Sequence, residues 1–216
     1  MNTPGFWLKS LRLTGPDVED AEIDFEKGLN VICGPSDTGK TFILQCIDFI
    51  LGGKDKPKEI PEADGYDTVF LEIRTYDGDK QIILQRSLQG GDIEVVKQDE
   101  LPIIVKPKHD KDNTDSISYV LLQLSGLENK KLKKNKDGVT QSLSFRNVIK
   151  FCVVSEQDVQ KENSPILTGQ YTSKTEVVPI SWTGSSGFLA CLFPYQAAFI
   201  PFCSWHMSGV IPPRAV

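Results

Sequence analysis

The octapeptide Gly34-Pro35-Ser36-Asp37-Thr38-Gly39-Lys40-Thr41 constrains this chain more than any other stretch. It satisfies G-x-x-x-x-G-K-[ST] at every position, the pattern of a phosphate-binding loop. Such a loop needs a strand before it and a helix after it. Gly28-Leu29-Asn30-Val31-Ile32-Cys33 is a short apolar run opened by a glycine, and it predicts a buried strand. Phe42 to Leu51 is long and apolar enough for a buried helix, which Gly52-Gly53 should stop.

The residue types suit that chemistry. A loop that ends at a helix N-terminus presents unpaired backbone N–H groups, and the helix dipole adds roughly half a positive charge there. Gly34 and Gly39 let the backbone turn tightly against phosphate oxygens. Lys40 supplies a point charge for the β- and γ-phosphates, and the Thr41 hydroxyl stands where it can coordinate Mg²⁺. The rival reading, a glycine turn with an incidental lysine, leaves both flanks and the full spacing unexplained.

The rest of the chain bounds the setting. At 216 residues, with 39% hydrophobic and 25% charged, it has the composition of one globular domain or two small ones. A net charge of −5 excludes a uniformly basic surface, though not a local basic patch. The cysteines Cys33, Cys46, Cys152, Cys191 and Cys203 form no C-x-x-C pair, so no zinc site is expected. Cys33 and Cys46 lie in apolar runs and are expected in the core. The first residues, Met1-Asn2-Thr3-Pro4-Gly5, lack the basic and apolar regions of a signal peptide, which favours the cytoplasm.

Two short strands are predicted ahead of the loop, one over Leu8–Leu13 and one over Ala21–Phe25. After a polar connector over residues 54–64, Thr68–Tyr76 and Gln81–Arg86 alternate around Asp77-Gly78-Asp79, a strong turn signal, and Ile93–Lys97 adds a third strand. Arg74 and Arg86 are expected to be solvated strand residues, with phosphate or DNA contact as the alternative. Residues 102–113 read as a polar segment holding a solvated His109. Asp115–Leu124 reads as a helix capped by Thr114 or Asp115. Residues 127–138 gather five lysines in seven positions, a solvated loop or a track for a nucleic-acid backbone. Ser144 is a fair N-cap for a helix from Phe145 to Lys150, followed by an apolar strand over Phe151–Val154 and then Ser155-Glu156-Gln157-Asp158.

The run LKSLRLTG…AEIDFEKGLNVICGPSDTGKT resembles the N-terminal lobe of SMC/RecF-type ATPases, the ABC-class enzymes of chromosome maintenance, DNA repair and phage defence. Phe25, Gly28, Leu29, Asn30 and Gly34 fall on that family's pattern, and the likeness covers residues 6–53 and, more loosely, the chain to about residue 175. The resemblance implies an α/β P-loop NTPase of ABC/SMC head type, with an antiparallel β-subdomain over about residues 66–97. It implies ATP and Mg²⁺ as ligands, a second ATPase head or a C-terminal lobe as partner, and DNA as a possible one. It also implies a Q-loop in residues 151–158, where Gln157 would sense the γ-phosphate through Mg²⁺. Lys40 and Gln157 are then the catalytic candidates, and Thr41 and Gln157 the metal contacts. A competing assignment makes Glu156 a catalytic base, but Ser155 stands where that motif needs an aspartate. Two departures stand out. The aromatic-basic pair that helps hold the base appears as Gly15-Pro16, and Ser36-Asp37-Thr38 replaces the common Asn-Gly-Ser.

Residues 176–216 break from the first 175. Only Glu176 and Arg214 are charged, while Trp182, Trp205, Cys191, Cys203 and five prolines collect without a period. A membrane span needs about 20 apolar residues, and Pro194 and Pro201 interrupt the longest apolar run. A partner-covered segment and a non-native extension remain, and the abrupt loss of charge favours the extension. The chain also has no L-S-G-G and no apolar run ending Asp-Glu. The expectation is an ATP-binding half of such an enzyme with negligible turnover alone. A small phosphotransferase and a non-catalytic nucleotide-binding adaptor are the rivals.

Overall fold

A computed structural model describes residues 4–109, 114–133 and 139–159 of the chain. Residues 176–216 and the centre of the lysine-rich loop lie outside the described residues.

A six-stranded antiparallel sheet carries the fold, in the order β2-β1-β3-β4-β5-β6. The strands are β1 (Phe6–Gly15), β2 (Val18–Asp24), β3 (Thr68–Thr75), β4 (Gln81–Ser87), β5 (Ile93–Lys97) and β6 (Ile103–Val105). The cause is plainest in β3, where Val69, Leu71, Ile73 and Thr75 are buried and the residues between them are not. Leu71 lies opposite Leu11 of β1 and Leu84 of β4, so three leucines stack across three strands on one face. Cross-strand apolar pairs of this kind stabilise a sheet and fix its register, because a one-residue slip would turn every one of them outward. Gly78 and Asp79 both have positive φ, +85° and +53°, which closes the β3–β4 connection where the turn signal stood.

Helices cover the buried face. The first, α1 (Lys40–Ile50), packs across β3 and β4 through Phe42, Cys46, Ile47, Phe49 and Ile50. The second, α2 (Ile117–Leu124), and the third, α3 (Phe145–Ile149), pack on each other. The buried Ser118 hydroxyl of α2 accepts the backbone N–H of Phe145 at 2.8 Å. Ser144 caps α3 in a complete capping box with Asn147, as its position predicts. β7 (Lys131–Lys133) pairs antiparallel with β8 (Thr140–Ser142).

Several expectations need correction. The run 28–33 forms no strand: it is irregular backbone, with Leu29 57% and Val31 72% exposed and Cys33 exposed as well. An apolar run becomes a strand only when a neighbour supplies the ladder, and no described strand pairs with this one. Phe151–Val154 is likewise not a strand but a turn off the end of α3, where Val153 N–H donates to the Ile149 carbonyl. The polar segment after residue 101 contains β6, and α2 is capped by Ser116, not by Thr114 or Asp115. The strand pairs of both sheets are antiparallel, consistent with the antiparallel β-subdomain expected from the sequence.

Candidate functional site

The loop between residue 34 and α1 turns on two residues of positive φ. Gly39, the residue before α1, has φ +77°, and Asp37 has φ +59°. Two positive-φ residues two positions apart tighten the turn into the helix. Gly39 is required for that conformation, since a β-carbon there would be strained whatever the space. At Gly34 a β-carbon would stand 3.4 Å from the Thr38 hydroxyl, an ordinary contact, so packing within the loop does not by itself demand glycine there.

The N-terminus of α1 has no side-chain cap and no acidic residue in its first turn. Its first N–H groups therefore remain for a ligand or water. Lys40 folds across the loop, its Nζ donating to the carbonyls of Gly34 at 2.8 Å and of Pro35. Thr38 Oγ1 closes the same turn by donating to Pro35 O at 2.9 Å. The ammonium is thus tied to the loop's own backbone. Thr41 is exposed on the first turn beside it.

Two arginines brace the other end of α1. Arg86 of β4 is 5% exposed, with NH1 donating to the carbonyls of Phe49 and Gly53 and Nε to that of Gly91. Its guanidinium lies 3.7 Å from the centre of the Phe49 ring. Burial lowers its pKa, and Asp92 partly offsets that. It is neither a solvated strand residue nor a phosphate contact. It is a cation at the C-terminus of a helix whose own last turn has none. Its position in phase with Ile82 and Leu84 was the signal that it points inward. Arg146 of α3 makes a two-pronged pair with Asp48 of α1, at 2.6 and 3.1 Å. Arg74, the other arginine in doubt, pairs with Glu72 at 2.7 Å.

Gln157 is not brought to the loop. It is exposed on the first turn of the short helix α4 (Glu156–Val159), and no hydrogen bond among the described residues joins it to residues 34–41. The connector over 54–64, read as merely exposed, does return to the site: Ile60 would touch a β-carbon at Gly39, 3.8 Å away, and the Lys58 N–H donates to Gln45 of α1. At the β1–β2 turn, Gly15 packs against the Gly65 backbone, so no side chain can be accommodated there.

Over residues 9–177 the sequence matches the AAA domain family. The chain belongs to that family. Among curated proteins this AAA domain is 35% identical over 74 residues to DNA repair protein RecN of Aquifex aeolicus, covering 34% of this chain and 12% of that protein. It is 24% identical over 183 residues to the protein of the same name from Rickettsia conorii, covering 76% of this chain and 33% of the relative. The Rickettsia typhi protein gives 31% over 80 residues, or 37% of this chain and 14% of that one. The chain therefore spans a third or less of each of these relatives. Together these matches identify it as an N-terminal SMC/RecF-like P-loop ATPase region. No helix among the described residues is long and apolar enough to cross a membrane.

Proposed function

We propose that residues Gly34 to Thr41 bind the phosphates of Mg-ATP, as the nucleotide-binding part of an SMC/RecF-like ATPase that serves DNA repair. One observation carries the reading: an uncapped helix N-terminus whose first residue, Lys40, is tied back to the loop by two of its carbonyls. In this assignment the N–H groups of the loop and of Lys40 and Thr41 take the β- and γ-phosphate oxygens, and Lys40 Nζ adds charge. Among the described residues no cluster of His, Cys, Asp and Glu could hold a metal by itself. Magnesium then arrives with the nucleotide and meets the exposed Thr41 hydroxyl, which fits a hard cation that keeps most of its ligands as water and phosphate oxygen.

Hydrolysis needs more than this chain's loop. Gln157 would have to be carried toward the γ-phosphate, and exposure on a four-residue helix supports such a role only after rearrangement. The exposed Leu29 and Val31 support a complementing ATPase lobe or second head that supplies the neighbouring strand. The DNA link rests on the printed function of the RecN relatives and on the lysines of β7. With no placed base, the chain alone should show negligible turnover, since a general base contributes about 10²–10⁴-fold.

Titration of the purified chain with ATP and Mg²⁺ by calorimetry tests the assignment. Lys40→Ala should abolish measurable binding, and the chain alone should release no phosphate above background. Binding indifferent to Lys40→Ala would remove the loop from the site.

A further inference from the structure

The stretch that leads into the phosphate loop is held by a side chain where a strand ladder would otherwise hold it. Phe25 still belongs to the sheet: its N–H donates to the Lys9 carbonyl at 2.8 Å, and the residue is buried. Over residues 26–33 no backbone–backbone hydrogen bond is made among the described residues. Asn30 takes over that task. Its Oδ1 accepts the Glu26 N–H at 2.9 Å, and its Nδ2 donates to the Glu26 carbonyl at 2.8 Å and to the Gly28 carbonyl at 3.2 Å. The amide thus makes with Glu26 both bonds that a paired residue of an antiparallel strand would make. Gly28, at φ +100°, turns the chain between them. Aspartate could not replace it, because a carboxylate would face two carbonyls with no proton to donate.

Asn30 is exposed, so water competes for its three bonds and their share of global stability is small. Their effect falls on where the chain goes next. Ile32 packs partly against the core, and the phosphate loop begins two residues later. From the other side, Lys40 Nζ holds the carbonyls of Gly34 and Pro35. A lysine that turns to a phosphate gives those carbonyls up.

We propose that Asn30 is a positioning residue whose amide keeps the entry to the phosphate loop in place when Lys40 leaves the loop carbonyls for phosphate oxygens. The proposal rests on the Mg-ATP reading above. Without the amide the entry samples other conformations, and apparent affinity falls with the fraction of chains in the competent one.

Calorimetric titration with Mg-ATP and with magnesium tripolyphosphate compares the natural chain, Asn30→Ala, Asn30→Asp and Lys40→Ala, beside urea denaturation of each. Asn30→Ala should weaken both ligands about ten-fold, as a competent fraction of about a tenth requires, with the urea midpoint unmoved. Asn30→Asp should weaken both at least as much. Its loss should persist in molar salt, where a Debye length of about 3 Å screens any repulsion between the new carboxylate and the phosphates. Affinity within about two-fold of the natural chain in Asn30→Ala overturns the proposal and leaves the loop assignment standing. A loss confined to Mg-ATP also overturns it, since Asn30 would then touch the nucleoside. So does a loss that comes with a lower urea midpoint, because the three bonds would then hold the fold and not the loop. If the natural chain binds neither ligand, or binds both as well after Lys40→Ala, the nucleotide reading itself fails and takes this proposal with it.

Discussion

Residues 69–73 and 29–33 are two apolar runs of similar length with opposite fates. In β3, Val69, Leu71 and Ile73 are fully buried. In the run before the phosphate loop, Leu29 and Val31 are more than half exposed. Propensity does not separate them, because both are rich in β-branched and aliphatic residues. Neighbours do. β3 is paired on both edges, by β1 and β4, and α1 lies across its inner face. Among the described residues the run at 29–33 has no strand beside it, and near it Phe25 and Ile32 reach the core. The turn into α1, with Gly39 at φ +77°, is formed all the same, so it depends on local backbone chemistry and not on a completed strand.

The largest effect that follows is on the paired side. Leu71→Ala removes the centre of the three-leucine stack and should cost about 2–5 kcal/mol of unfolding free energy, read by urea denaturation. Leu29→Ala should cost under about 0.5 kcal/mol by the same measurement, as exposed substitutions do. Equal costs would mean that the run at 29–33 is buried in solution.

Next in size is the brace at the far end of α1. Arg86→Met keeps much of the side-chain volume but leaves the carbonyls of Phe49, Gly53 and Gly91 without their donor. A loss of about 2–4 kcal/mol is expected. Arg86→Lys should recover only part of it, since an ammonium cannot reproduce the planar fork. By contrast Arg146→Met breaks a pair that is about two-fifths exposed, and should cost less than about 1 kcal/mol.

The same contrast divides the cysteines. Cys46, on the buried face of α1, has its thiol pushed up to about 12 by desolvation. Its folded pKa lies above the unfolded value, so the folded state holds the proton longer. The associated stability is complete below about pH 9 and is lost as pH rises toward 12, by about 1.4 kcal/mol per pH unit within that window. Cys46→Ala should flatten this slope in denaturation midpoints measured from pH 8 to 10.5. Cys33 is exposed, contrary to its expected place in the core.

How much was legible in the sequence follows from the range over which each signal acts. The loop, α1, the β3–β4–β5 meander and the Ser144 cap are written in residues that touch each other or alternate locally. They were readable for that reason. The inward turn of Arg86 needed only the phase of β4, which was present but outweighed by the usual exposure of arginine. The run at 28–33 and the turn at 151–154 could not be read from themselves, because a strand is a statement about a second segment. Gln157 was assigned by family likeness, and its surface position on α4 has no local sequence cause.

The smallest expected effect tests the comparison most directly. Val31→Asp puts a charge into an apolar run, and a buried strand would lose several kcal/mol to it. At 72% exposure Val31 should lose under about 0.5 kcal/mol, and the chain should become less prone to associate, because an unpaired apolar run recruits other chains. Pulse labelling with iodoacetamide, read by peptide mapping, supplies the independent arm. Cys33 should label within the time of a free thiol, and Cys46 only at the rate of opening of the fold. Adding a complementing lobe, were it to lay a strand along residues 29–33, should slow Cys33 without changing Cys46, and Val31→Asp should remove that protection while leaving Mg-ATP affinity within about two-fold. Protection of Cys33 in the chain alone would mean that the run is already covered, and that the two apolar segments do not differ as described.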